Sequence, residues 1–122
     1  MALNPDNDRL NGIVDKLLAF RRERDWEQFH HPKDLAISVV LEAAELLEEF
    51  QWKGDAEVKR YLEEGGLSRV REELADIAIY IAILSHDLGL DLLEEMEKKI
   101  RKNEEKYPVG KSKGSAKKYD KL

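Results

Sequence analysis

Two stretches of this sequence carry a pair of carboxylates three residues apart inside an otherwise apolar run. Glu42-Ala43-Ala44-Glu45 lies between Leu35 and Trp52, and Glu73-Leu74-Ala75-Asp76 lies between Val70 and Leu88. Residues three apart on an α-helix share a face, one turn apart in height, so each pair forms a two-pronged acidic clamp. From Leu35 to Leu47 the only polar residues are Ser38, Glu42 and Glu45, and from Leu74 to Leu84 they are Asp76 and Tyr80. Ionised side chains are seldom buried unless they are paired or bind a metal. If the two helices meet, four carboxylates face one another, and each close pair repels by about 4 kcal/mol at an effective dielectric near 20. Few lysines are placed to relieve this. A divalent cation is the expected counter-charge, and oxygen-only ligands favour Mg²⁺ or Mn²⁺.

The rest of the sequence fits a helical scaffold for such a site. At 122 residues the chain is read as one domain, and its 39% charged and 42% hydrophobic residues, with helical periodicity throughout, predict an all-α protein. Cysteine is absent, which excludes disulfides, thiolate zinc sites and cysteine nucleophiles. The acidic pairs interrupt both apolar runs before either reaches the roughly 18 to 20 residues of a membrane span. Met1 to Leu10 is polar and carries no signal-like apolar stretch, so a cytoplasmic protein with no membrane partner is expected. A net charge of −5 argues against a nucleic acid polymer as partner. The last fifteen residues nevertheless hold five lysines against one acid, Asp120. This tail either solubilises the chain or folds over a polyanionic ligand.

The periodicity predicts four main helices, over about Asp6 to Arg24, Lys33 to Trp52, Ser68 to Leu88 and Asp91 to Lys106. A short polar helix over Asp55 to Glu64 precedes a break at Gly65-Gly66. Leu10, Ile13, Val14, Leu17 and Leu18 form the apolar stripe of the first helix, and Pro32 suits the first turn of the second. The third takes Ser68 as its N-cap and a stripe of Val70, Leu74, Ile77, Ile81, Leu84 and Leu88. The fourth opens with the capping box Asp91-Leu92-Leu93-Glu94, and Tyr107-Pro108-Val109-Gly110 ends the helical part. Residues 1–107 therefore form the helical domain and 108–122 the basic tail. The second and third helices are apolar on nearly every face apart from the acidic strip, which a four-helix monomer would leave partly in water. A homo-oligomer is expected.

Glu49 follows Glu45 by one turn and extends the acidic strip, whereas Glu48 reads as a solvated charge. A di-iron bundle would need two Glu-x-x-His pairs, and only Glu27-Gln28-Phe29-His30 fits, in a predicted loop. Trp26, Phe29, His30 and His31 precede the second helix, while Phe50 and Trp52 end it. Aromatic faces of this kind stack on nucleobases or serve as ordinary core and interface contacts. A helix holding its carboxylates in the middle cannot bring its own ends together, so Trp26 and Trp52 share a ligand only if the loop folds back or another subunit supplies one. Tyr80 continues the Glu73/Asp76 face by one turn. Lys99, Asn103 and Tyr107 repeat at i, i+4 and i+8, as a phosphate and sugar strip or a solvated face. Together, a carboxylate-held Mg²⁺, aromatic plates and lysines suggest a nucleoside triphosphate cleaved by metal-activated water.

The pattern resembles the all-α nucleotide pyrophosphohydrolases of the MazG-like superfamily, whose signature is ExxE, a spacer, then ExxD. Here 27 residues separate Glu45 from Glu73. Glu23-Arg24-Asp25-Trp26-Glu27-Gln28-Phe29-His30, Phe50-Gln51-Trp52-Lys53 and Glu72-Glu73-Leu74-Ala75-Asp76 resemble the dCTP pyrophosphatase branch. So do Tyr107-Pro108-Val109 and Lys113-Gly114-Ser115-Ala116-Lys117-Lys118-Tyr119. The resemblance spans about Arg21 to Tyr119. It implies a four-helix MazG-like bundle and Mg²⁺-dependent hydrolysis of dCTP, or a modified dCTP, to the monophosphate and diphosphate. It makes Glu42, Glu45, Glu73 and Asp76 metal ligands, with Glu42 or Glu45 orienting the attacking water. Trp26, His30 and Trp52 surround the base with Tyr80 nearby, and Lys99, Asn103 and Tyr107 approach sugar and phosphates. A homodimer or homotetramer with shared sites is implied too. Ala43-Ala44 departs from a common Val-Gly, and the linker Asp55 to Leu67 is not family-like. Two other readings keep less of this: the same chemistry on another deoxynucleotide, or a helical protein that binds nucleotide without turnover.

Overall fold

The structure is a computed structural model that describes residues 5–122; of the stretch Met1 to Leu10 read above as carrying no signal-like segment, Met1 to Asn4 lie outside the described residues. Among the described residues six α-helices follow one another: α1 (Pro5–Glu23), α2 (Pro32–Glu48), α3 (Asp55–Tyr61), α4 (Leu67–Asp87), α5 (Leu92–Lys106) and α6 (Val109–Ser112). Single 3₁₀ turns occupy Glu27–Phe29 and Tyr119–Lys121, and no strand occurs among the described residues. The all-α expectation holds. The chain divides into two compact units, the first ending at Gly89 and the second comprising Leu90–Leu122.

In the first unit α2 lies along α4 in the most extensive helix contact, and α1 packs on α4. Leu35, Val70, Ala82 and Ile83 are the buried apolar side chains among the described residues, with Leu35 fully enclosed. This core is small, and much apolar surface stays outside it. Ile37, Val40, Leu41 and Leu47 on α2 and Leu74 and Leu88 on α4 are all exposed. The buried residues of α4 therefore depart from the predicted stripe: Val70 is in, Leu74 and Leu88 are out, and Ala82 and Ile83 take their place. The helix is rotated so that Glu73 and Asp76 meet α2.

Three local expectations are corrected. The second helix ends at Glu48 rather than Trp52. Lys53 donates its Nζ to the Glu49 carbonyl at 2.9 Å, which caps the end, and Trp52 takes a left-handed φ of 67° that no helix continues through. Gly65-Gly66 is a kink rather than a break. A π-type turn over Leu62–Gly66 runs straight into α4, with Gly65 alone at φ 107°, while Gly66 is the place where the Tyr61 ring presses against the backbone and leaves no room for a Cβ. Consequently α4 starts at Leu67 behind Gly66, and Ser68 caps nothing. Pro32 does open α2.

The second unit is a helix with a folded-back tail. Asp91 caps α5 by accepting the Glu94 amide at 3.1 Å, as the sequence predicts. Helical structure extends past Tyr107-Pro108, where it was expected to stop, because α6 adds one turn. Tyr119 meets Tyr107 edge to face with ring centres 6.2 Å apart, and Lys106 Nζ sits 4.9 Å over the Tyr119 ring.

Candidate metal centre and aromatic cleft

The contact of α2 with α4 brings the two acidic clamps together. One carboxylate oxygen from each of Glu42, Glu73 and Asp76 falls within 4.8 Å of the others, a spacing three ligands of one cation can adopt. Glu45 stands close enough to both Glu42 and Glu73 to perturb their titration, although it is outside the three-carboxylate cluster itself. Oε2 of Glu42 and Oε2 of Glu73 are buried with no hydrogen-bond partner. Buried acceptors without donors are rare, and a hard divalent cation bound by oxygen atoms is the partner that fits them.

The electrostatics carry the same signature. The Glu42 carboxyl is pushed up to about 7, first by hydrogen bonding to Glu45, then by burial and by the charges of Glu45, Asp76 and Glu73. Glu73 is also raised, first by burial and then by the charge of Glu45, hydrogen bonding to it, and the charges of Asp76 and Glu49. Without a cation, Glu42 and Glu73 keep their protons to higher pH than ordinary carboxyl groups do. Glu49 extends the strip as its spacing predicts, and its Oε2 accepts a hydrogen bond from the Tyr61 hydroxyl.

Beside the acids lies a cleft of about 360 Å³ lined by Leu17, Phe20, Arg21, Trp26, His30, Glu42, Asp76, Ile79, Tyr80 and Ile83. Helical periodicity explains its α4 wall, since Asp76, Tyr80 and Ile83 succeed one another along one face. Trp26 is held by an edge-to-face contact with Phe20 at 5.6 Å and by its amide, which donates to the Arg21 carbonyl at 3.0 Å. Nδ1 of His30 is buried without a partner. Burial, and then the positive charge of Arg21, push the His30 pKa down, so its ring is neutral at neutral pH. The cleft thus has an acidic end, aromatic walls and a polar floor.

Of the residues singled out from sequence, the structure gathers Glu42, Asp76, Trp26, His30 and Tyr80 around this cleft, with Glu73 in the adjoining acid cluster and Glu45 beside it. Trp52 is 91% exposed on the turn after α2 and lines none of it. Lys99 and Asn103 lie on α5 and Tyr107 follows its last residue, all in the second unit, where the Asn103 carbonyl accepts the Tyr107 amide at 2.8 Å. Sequence reasoning missed Arg21 and Phe20 as cleft residues. Their spacing from Leu17 on α1 (i, i+3, i+4) was the available signal. Nothing local marked Arg21, whose partner Asp87 is 66 positions away.

The profile of the MazG-like family matches residues 37–122 of this chain. Among curated proteins, dCTP pyrophosphatase 1 of Rattus norvegicus is 42% identical over 104 residues, covering 84% of this chain and 61% of the relative. The Homo sapiens protein of the same name is 39% identical over 107 residues, with 84% and 61% covered. The chain therefore spans about three fifths of the length of these relatives. Among solved structures, a pyrophosphatase from Archaeoglobus fulgidus DSM 4304 superposes with a TM-score of 0.78 at 40% identity, over 82% of this chain and 93% of that one.

Proposed function

Because this chain belongs to the MazG-like family, we propose that it is a nucleoside triphosphate pyrophosphohydrolase acting on dCTP or a modified dCTP and yielding dCMP and diphosphate. The observation that carries this reading is the convergence of Glu42, Glu73 and Asp76 beside an aromatic cleft, with two of their oxygens buried and unpartnered. The similarity to dCTP pyrophosphatase 1 supports the choice of base. The similarity to the archaeal pyrophosphatase supports the reaction class.

Glu42, Glu45, Glu73 and Asp76 would hold Mg²⁺, with Mn²⁺ as a substitute. When bound, the metal supplies charge neutralisation at the phosphates and a water acidic enough to deprotonate near neutral pH. Glu42 or Glu45 orients that water and takes its proton. Its oxygen bonds to the α-phosphorus as the bond to the bridging oxygen breaks, and diphosphate leaves. Trp26, His30 and Tyr80 receive the base. Lys99, Asn103 and Tyr107 are proposed for sugar and phosphates on the resemblance, and the basic tail 108–122 either solubilises the chain or meets a polyanionic ligand.

Assembly is part of the same reading. The MazG-like chain would associate as a homodimer or homotetramer. The exposed Val40, Leu41, Leu47 and Leu74 support this, as does a tryptophan in water at position 52, which stacks on a base only if a second copy brings it there. No helix among the described residues is long and apolar enough to cross a membrane, which is compatible with a cytoplasmic site of action. Product analysis tests the proposal. With Mg²⁺, dCTP should give diphosphate in preference to dUTP and dTTP, and Glu45→Ala or Asp76→Ala should abolish release. Free phosphate as the product, or undiminished release by those variants, would refute it.

A further inference from the structure

Trp26 owes its place to the way α1 ends. Its amide donates to the Arg21 carbonyl at 3.0 Å and the Asp25 amide to the Arg22 carbonyl at 3.1 Å, with Asp25 left-handed at φ 55°. Two such bonds around a left-handed residue make a Schellman closure, and the apolar contact that accompanies one is here the packing of Trp26 on Phe20. The tryptophan therefore moves with the last turn of α1 as one piece.

That turn is clamped to the opposite wall of the cleft. Arg21 is the one buried polar or charged side chain among the described residues, at 8% exposure. Its Nη1 donates to Oδ2 of Asp87 at 2.8 Å and its Nη2 to Oδ1 at 3.0 Å, a fork that fixes both separation and orientation. Asp87 is the last residue of α4, one turn beyond Ile83 on the face that carries Asp76 and Tyr80, and it lines none of the cleft itself. Burying a guanidinium costs desolvation that one ion pair seldom offsets, and Nε stays buried with no acceptor. Stability alone is a weak reason for such a pair. Geometry is a better one.

We propose that Arg21 and Asp87 are positioning residues for the base: their fork holds the end of α1 against α4 and so sets the place of the Trp26 ring relative to the wall that carries Tyr80. This inference rests on the reading of the cleft as the nucleotide site. Neither side chain needs to touch the base. Their effect reaches it through Trp26, which stacks best when its ring is in place before the base arrives.

The test is steady-state kinetics of the full chain with Mg²⁺ and dCTP, arranged as a double-mutant cycle with Trp26→Ala. Asp87→Asn keeps the shape of the side chain and breaks the fork, while Arg21→Met replaces the buried charge by an apolar chain. Each should raise KM by about tenfold and leave kcat within about threefold, because the acid cluster is untouched. Trp26→Ala should raise KM at least as much. In that background Asp87→Asn should raise KM no further, yet lower the melting temperature as much as it does with the tryptophan present. An unchanged KM in Asp87→Asn and Arg21→Met, or a tenfold rise that persists without Trp26, would overturn the proposal and leave the pair as a tie between α1 and α4. If one of the two substitutions does not fold, the cycle with the other decides. Turnover by the unaltered protein with either of those results overturns this inference alone, whereas absence of turnover on every triphosphate overturns the enzymatic reading with it.

Discussion

The two faces of α2 differ in the opposite sense from an ordinary amphipathic helix. Its inner face carries Leu35, fully buried, and then Glu42, Glu45 and Glu49 turned towards α4 and the acid cluster. Its outer face carries Ile37, Val40, Leu41 and Leu47, between 46% and 66% exposed. Carboxylates face the neighbouring helix and hydrocarbons face water. A helix in solution normally does the reverse because apolar area is worth about 25 cal/mol per Å² when buried and charges are costly to desolvate. The inversion is the pattern expected of a helix with the two partners proposed above, a cation on the inside and a second copy on the outside.

The largest expected effect breaks the inner face. Asp76→Ala or Glu42→Ala should reduce diphosphate release by at least about a thousandfold, since a cation clamped by carboxylates supplies both charge neutralisation and the activated water. Removal of divalent cations with a chelator should match that loss and be reversed by adding Mg²⁺. Breaking the outer face should separate assembly from chemistry. Val40→Asp combined with Leu47→Asp places charge on apolar contact surface and should weaken self-association on the order of a hundredfold, read by sedimentation equilibrium. A protein of unchanged mass in that experiment would show that the outer face has no second copy on it. Trp52→Ala should raise KM for the nucleotide by about tenfold, in line with the worth of one base stacked on an aromatic ring.

Acid titration sharpens the inner face further. Glu42 and Glu73 have raised pKa values in the folded protein, so they bind protons more tightly there than in the unfolded chain. Their contribution to the stability of the metal-free protein is present below the ordinary carboxylate pKa of 4.5 and is lost as pH rises through about 7, the folded value for Glu42. The metal-free protein should therefore melt at a lower temperature at pH 8 than at pH 5, and saturating Mg²⁺ should stabilise it more at pH 8 than at pH 5. Smallest of all, Tyr61→Phe removes the hydrogen bond to Glu49 at the far end of the strip and should cost about 1 kcal/mol in denaturant unfolding.

The inversion itself was legible in the sequence, because i, i+3 carboxylates in an apolar run are a local pattern that helical geometry turns directly into a face. Helix type and the Asp91 cap were legible for the same reason. What escaped depends on long-range or strained geometry. The early end of α2 follows from Lys53 reaching the Glu49 carbonyl and from the left-handed Trp52, and neither is implied by composition. The buried residues of α4 are set by the need to present Glu73 and Asp76 to α2, which a stripe drawn through the most hydrophobic residues does not foresee. Arg21 read as one charge among several at the end of α1. Only the fold brings it to Asp87.

Titration of the metal-free protein with Mn²⁺, followed by electron paramagnetic resonance, tests the central claim most directly. The account predicts saturable binding that is tighter at pH 8 than at pH 6 and that disappears in Asp76→Ala and in Glu73→Gln. Binding that is equal in all three proteins, or absent from the unaltered one, would contradict it.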